Sequence, residues 1–351
     1  MKIVFFTISF FILAVGICGS PLVTRLYFIH GGKRIWFSSW LQTAAFPIIL
    51  VPLLVGYTRR LRRSTGTKLF YMKPRVFAAA SVIGILTGLC NYLYVYGNSL
   101  MPVSTFSLIL ASQLVFTAVF AFLLVKQKFT AYSVNAVILL TLASAVLAMH
   151  TSSDRPAGES SSAYLLGFIM TLATAVMFGL LLPMVELTYK KANQDVTLTL
   201  VLEMQLVISI VATAFCTVGM LINNDFQAIA REAKSYELGE TNYYIVVVWI
   251  AILCQCYSFG VLGIIFSSSS LVSGIVVAAL LPATELLAVI VYHEKFQVEK
   301  GVSLFLSMWG FISYFYGEIK HNSNNNNNSD NKQKNMTDEE IGLAHLTTIA
   351  P

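Results

Sequence analysis

The sequence predicts an all-α integral membrane protein of ten transmembrane helices arranged as two inverted five-helix repeats. Three observations carry that prediction. Hydrophobic residues make up 56% of the 351 and charged residues only 11%, where a soluble domain carries about a quarter charged. Apolar runs of membrane length recur along the chain, each of about 18 residues or more, enough for a hydrocarbon core of roughly 30 Å. A shift of 167 residues superimposes Lys128-Phe129 on Lys295-Phe296, Thr117 on Thr284 and Ala121 on Ala288.

The runs lie near 3–24, 36–57, 76–97, 103–125, 132–150, 164–185, 198–222, 243–266, 271–292 and 300–318. The first is read as an uncleaved helix and not a secretory signal, because its apolar stretch exceeds a signal core and nine more follow. The tenth, with Ser303, Ser307 and Ser313, is the least apolar. The matched stretches close spans four and nine, so the repeat unit is five spans. An odd number of crossings inserts the second copy upside down. Two mirrored halves that rock about one central site are a recurring plan for alternating access. The expected organisation is a first repeat over 1–150, a linker loop over 151–163, a second repeat over 164–319 and a disordered cytosolic tail over 320–351. That tail contains the run Asn324 to Asn328 and is of low complexity.

Basic residues set the orientation. The loop between spans two and three holds seven of them from Arg59 to Arg75 and no acid, and its side of the membrane collects 15 against 8 on the other. Both termini are therefore expected in the cytosol. The net charge of +6 belongs to that inner rim and not to a nucleic-acid surface. The outer loop from Asn223 to Asn242 is the longest between spans and is expected to cover the mouth as a short helix. All five cysteines fall inside spans. They make no disulfide framework, and Cys254-x-Cys256 lacks the spacing and histidine of a zinc site. No cofactor or metal is expected, and no nucleophile with a plausible base marks an enzyme.

Polar residues inside the spans are costly and carry the functional signal. Glu285 stands one turn after Pro282 in span nine, and Glu186 and Glu203 stand near the inner ends of spans six and seven. These three carboxylates are the proton-coupling candidates; the structural alternative is a bond to a neighbouring helix for Glu285 and a snorkelling or interfacial place for Glu186 and Glu203. No lysine or arginine lies at mid-membrane beside them, which argues for a neutral or cationic small molecule and against a phosphorylated one. Gln113 and Gln255 sit at the centres of spans four and eight, with Gln42 and Asn91 nearer the outer face. Amides offer donors and an acceptor together, which suits a flat heterocycle, and Trp40 and Tyr94 could supply a stacking slab along with Trp36, Tyr92, Tyr96 and Tyr257. Interface anchoring and helix packing are the structural alternatives for these aromatics and amides. Gly84 and Gly88 are expected to let helices approach closely.

The stretch from Gly31 to Ala44, Gly-Gly-Lys-Arg-Ile-Trp-Phe-Ser-Ser-Trp-Leu-Gln-Thr-Ala, resembles the start of the second span in plant purine permeases, within the drug/metabolite transporter superfamily. Similar segments follow in order: Pro102 to Thr105, Ser112-Gln113-Leu114, Phe120-Ala121-Phe122, Ser152 to Gly158, Leu182 to Leu187, His293 to Phe296 and Trp309 to Tyr314. Ala45-Phe46 departs from the glycine and tryptophan expected there. The resemblance implies a ten-span bundle that imports purine bases and related heterocycles with protons, cytokinins and alkaloids among them, in a plasma membrane. A facilitator or exporter without proton coupling is the alternative, and the oligomeric state is left open.

Overall fold

The computed structural model describes residues 2–61, 70–100, 109–110, 112–127, 129–149, 161–292, 301–302 and 305–317, and every regular element among them is an α-helix. The helices are α1 (Lys2–Ile29), α2 (Ile35–Ala44), α3 (Pro47–Leu61), α4 (Pro74–Leu100), α5 (Gln113–Val125), α6 (Ala131–Met149), α7 (Ser161–Lys190), α8 (Leu198–Ile222), α9 (Asp225–Ser235), α10 (Glu240–Ser267) and α11 (Ser270–Tyr292). A last stretch, α12, covers 305–317.

Six segments among the described residues are long and apolar enough to cross a membrane: Val4–Ile29, Ile35–Leu61, Pro74–Leu100, Leu165–Lys190, Leu198–Ile222 and Glu240–Ser267. A helix of 27 residues is about 40 Å long at 1.5 Å per residue, more than the hydrocarbon core needs. The other spans expected from the sequence are overlapped by α5, α6, α11 and α12, and α9 falls in the long outer loop. The linker at 150–160 and the tail from 318 lie outside the described residues.

The second span corrects one expectation. It is not a single helix over 36–57 but two, joined at Ala45-Phe46. Pro47 explains the break: its ring disfavours the α conformation at Phe46 and it has no N–H to bond back to Thr43. The chain crosses the joint on tighter bonds instead, with Phe46 N donating to Thr43 O at 3.2 Å and Ile49 N to Phe46 O at 2.9 Å. Prolines inside α1, α3 and α7, at Pro21, Pro52 and Pro183, leave those helices unbroken.

Large side chains such as Leu54, Phe122, Ile138 and Ile290 lie on the outside, where lipid and not water is the solvent. Inside, α1 runs along α10 and α11, and α4 packs between α7 and α8. α5 packs on α7, and α2 lies against α4, α8 and α10. Without a hydrophobic drive between helices in lipid, close approach of backbones supplies the attraction. At the α1–α10 crossing a Cβ on Gly16 would stand 2.3 Å from the backbone N of Tyr257. On α4, a Cβ at Gly84 would meet Val211 Cβ at 2.8 Å, and one at Gly88 would meet Phe215 Cδ1 at 2.9 Å. Gly84 and Gly88 thus act as the packing pair expected of them.

Two alanine variants separate this role from helix propensity. Gly16→Ala is expected to cost about 1–3 kcal/mol through overpacking against an unyielding backbone. Gly56→Ala, where nothing lies within 4 Å, should be neutral or gain up to about 1 kcal/mol. Melting curves of the two proteins in detergent check the contrast, and equal melting temperatures would refute it.

Candidate functional site

Polar side chains inside the bundle fall into a central set and two end sets. In the central set, Gln255 is 1% exposed midway along α10, and neither its Nε2 nor its Oε1 has a hydrogen-bond partner among the described residues. A buried amide left bare costs about 1–3 kcal/mol by protein mutational measures. Ala251, one turn away on the same face of α10, belongs to the buried cluster that includes Leu41 and Ala45.

α8 carries a polar stripe. Trp40 on α2 donates its indole N–H to Thr217 Oγ1 at 3.0 Å, and Thr213 Oγ1 donates to Thr43 Oγ1 at 2.9 Å. One and two turns further inward come Ser209 and Gln205, joined by a bond from Gln205 Nε2 to Ser209 Oγ at 3.1 Å. The sequence reading missed this stripe, although the spacing 205, 209, 213, 217 within an apolar span was the available signal. Gln42 is half-buried on α2. Asn91 is buried on α4, its backbone carbonyl accepting from Ser39 Oγ at 3.4 Å.

A second part of the centre gathers around Tyr94. It meets Phe178 edge-on at a centroid distance of 6.1 Å and packs on Ile109 and Leu110. Tyr257 and Cys254 of α10 are its electrostatic neighbours. Leu110 and Gln113 also line a narrow crevice between α5 and α11, with Thr117, Gly274, Val277 and Ala278. The remaining aromatics are occupied with one another: Trp36 stacks on Tyr92 at 4.0 Å, and Tyr92 on Tyr96 at 5.8 Å.

One of the three carboxylates serves a helix start, and a second serves the segment that leads into one. Glu186 Oε2 accepts from Ser270 N, the first residue of α11, at 2.7 Å, and Glu186 Oε1 pairs with Lys190 Nζ at 3.0 Å. Glu203 accepts from Tyr71 N at 3.0 Å and Met72 N at 2.9 Å, just before α4. The first turn of a helix carries unpaired N–H groups and a partial positive charge, so a carboxylate is the natural partner. Glu285 is on α11, but its side chain lies outside the described residues.

At the other end of the bundle, α9 lies across the turn between α1 and α2, with Asp225, Ala228, Glu232 and Ala233 buried. Glu232 accepts from Tyr27 OH, from Tyr243 OH at 3.2 Å and from Lys33 N at 3.3 Å. Arg34 approaches Glu232 at 3.7 Å and Asp225 at 3.6 Å. The short helix expected in the loop from Asn223 to Asn242 is present, and Asp225 and Glu232 tie it to the turn between α1 and α2. Among the described residues no group of histidine, cysteine and carboxylates is arranged to hold a metal.

Residues 4–324 match the family model for purine nucleobase transmembrane transport. The chain belongs to that family. It is therefore a transporter and not an enzyme. Purine permease 3 of Arabidopsis thaliana is 55% identical over 316 residues, covering 89% of this chain and 90% of its own. Purine permease 2 of the same plant is 51% identical over 334 residues, covering 91% and 93%. A solved crystal structure with 15% identity superposes on this transporter with a TM-score of 0.62, over 88% of this chain and 95% of its own. That likeness speaks to fold alone.

The capping role of Glu203 yields a stability test. Glu203→Ala leaves the N–H groups of Tyr71 and Met72 without their carboxylate and should cost about 1.5–3 kcal/mol. Glu203→Gln, which keeps an acceptor, should lose less. Thermal unfolding in lipid nanodiscs measures both, and an unchanged melting temperature for the alanine variant would remove the cap.

Proposed function

We propose that this transporter imports purine bases and related heterocycles, adenine and cytokinins first and alkaloids as a wider class, in symport with protons. The observation that carries the reading is the bare, buried amide of Gln255 at mid-span in a chain of this family. A purine edge offers donor and acceptor side by side, so one amide can satisfy both of its halves on it. Tyr94 and Tyr257 then cover a ring face, and Gln113, Gln42 and Asn91 complete the polar wall, with Trp40 anchoring α2 to α8.

The architecture we infer is ten spans in two inverted halves, both termini cytosolic, in the plasma membrane. The helix neighbours support the repeat. Advancing each span by five converts α1 on α10 into α7 on α4, α4 on α8 into α10 on α2, and α5 on α7 into α11 on α1, and all of these pairs occur. The matched threonines agree too: Thr117 and Thr284 each donate to the carbonyl one turn back, at 2.9 and 3.2 Å.

Glu285 is our proton carrier, since Glu186 and Glu203 already hold backbone N–H groups. Proton and purine each favour the occluded state, and closure of one half over the other delivers both to the cytosol. Coupling requires that each ligand bind the two states unequally. The same engagement of Glu186 and Glu203 favours an uncoupled facilitator as the second reading, should Glu285 carry no proton.

Uptake of labelled adenine by yeast lacking its own purine importer tests coupling. Uptake is expected to be faster at pH 5 than at pH 8 and to collapse with a protonophore, and Glu285→Gln should abolish the pH dependence. Uptake by the wild type that ignores both pH and protonophore would leave the facilitator. Gln255→Leu tests the amide. It should cut adenine affinity about tenfold or more while the melting temperature holds or rises, because a costly bare group is gone. Undiminished affinity would take Gln255 out of the site.

A further inference from the structure

The start of α11 is gripped from two sides by residues far away in the chain. Glu186, 5% exposed near the end of α7, accepts from Ser270 N at 2.7 Å. Gln127, two residues past α5, donates from Nε2 to Ser269 Oγ at 3.2 Å. Ser269 in turn caps its own helix, its Oγ accepting from Val272 N at 3.3 Å. Lys126 and Ser268, their chain neighbours, are exposed, as is Lys190, which pairs with Glu186 at 3.0 Å. The grip therefore lies directly beneath the surface at that end of the bundle.

Deeper in the bundle, α5 and α11 enclose the narrow crevice lined by Gln113, Thr117, Gly274 and Val277. The two helices run in opposite directions there: Gln127 meets Ser269, and a Cβ on Gly274 would stand 3.2 Å from Thr117 Cγ2. Gly274 is about one turn past Ser270, so the crevice ends just below the grip. Around the grip, Gln127 Oε1, Tyr189 OH, Ser270 Oγ and Ser273 Oγ are buried with no partner among the described residues. Tyr189 is placed there by its edge-on contact with Phe266 at 6.4 Å, shortly before Ser270 in the chain. Such groups destabilise a dry interior and are relieved once water reaches them. Opening at this point breaks two hydrogen bonds and wets these bare groups, which offsets part of the loss.

We propose that the grip is a gate: Glu186 and Gln127 close the α5–α11 crevice at one end of the transporter, and release of the start of α11 opens it there. The packing suits that motion. α5, which leads to Gln127, and α7, which carries Glu186, pack on each other, while α11 also packs on α1 and α10. Parting these two groups frees Ser269 and Ser270 together. The gate rests on the alternating access inferred above, and on neither the cargo nor the proton.

Water access at Ser273 is the test. Ser273→Cys, a near-isosteric change at a fully buried site, is exposed to a charged maleimide in purified protein in nanodiscs. Its rate is read above that of the wild type, which has five free cysteines. Labelling is expected, and adding Glu186→Ala should speed it about tenfold or more, as for the loss of one hydrogen bond to a carboxylate. Equal rates with and without Glu186, or no labelling above wild type in either, would overturn the gate. So would faster labelling of the buried Cys90 and Cys216 by Glu186→Ala alone, which marks general loosening. If Glu186→Ala does not fold, Gln127→Ala takes its place under the same reading. A bridge supplies the second measurement. Gln127→Cys and Ser269→Cys joined by a short bismaleimide should stop adenine uptake into proteoliposomes, whereas the same pair capped singly should not. Full uptake with the bridge in place overturns the gate. Failure of the cargo reading looks different: the wild type carries no adenine, while the Ser273→Cys rates still respond to Glu186→Ala.

Discussion

Helix starts that lie near the bilayer cannot rely on water, and the bundle is organised around that constraint. Each new helix begins with N–H groups that lack an intrahelical acceptor, and in lipid an unsatisfied backbone group costs several kcal/mol. Glu186 reaches from the end of α7 to the first N–H of α11, and Glu203 from α8 to the residues leading into α4. Each bond ties one helix to the start of another distant in sequence. Gln127 extends the pattern, donating from the segment after α5 to Ser269, next to the start of α11. That end of the bundle is thus held by side chains that complete backbone hydrogen bonding. At the other end Glu232 plays a similar part, drawing together Tyr27, Tyr243 and the Lys33 N–H.

Against that background of satisfied backbone groups, the bare amides of Gln205 and Gln255 stand out. The chain finds acceptors for N–H groups at its helix starts yet leaves these two side chains incomplete at the centre. Both are buried, so their cost is not relieved by exposure. A binding site must keep polar groups unpaired until its ligand arrives, the part proposed for Gln255, and the stability given up there becomes selectivity when the ligand completes them.

Much of the fold was legible along the chain, because the hydrocarbon thickness imposes a length on every crossing. Apolar runs such as 76–97 and 198–222 correspond to α4 and α8 with ends displaced by only a few residues at most. A short helix in the loop from Asn223 to Asn242 was foreseen from the length of that loop alone. The joint in span two was not, although Pro47 was visible, because α1, α3 and α7 each contain a proline and continue through it. Whether a proline breaks or merely bends a helix depends on what its neighbours can supply to the freed backbone groups.

The site was legible in part. Gln255 and Gln113 were singled out because an amide at mid-span is costly, and the structure shows the Gln255 amide buried and without a partner among the described residues. Glu186 and Glu203 were found for their charge, yet their cap role required knowing which helix starts beside them. Gln205 and Ser209 were overlooked because a glutamine and a serine at i, i+4 look like ordinary packing residues.

By itself, the sequence determined class, membrane character, the number and rough limits of the apolar runs and the family, since these follow from composition, from the thickness of the bilayer and from local motifs. Only the tertiary structure decided which polar groups are paired. Pairing depends on contacts between residues far apart in the chain, such as Glu203 with Tyr71 or Thr213 with Thr43, and no one-dimensional pattern specifies which helix faces meet.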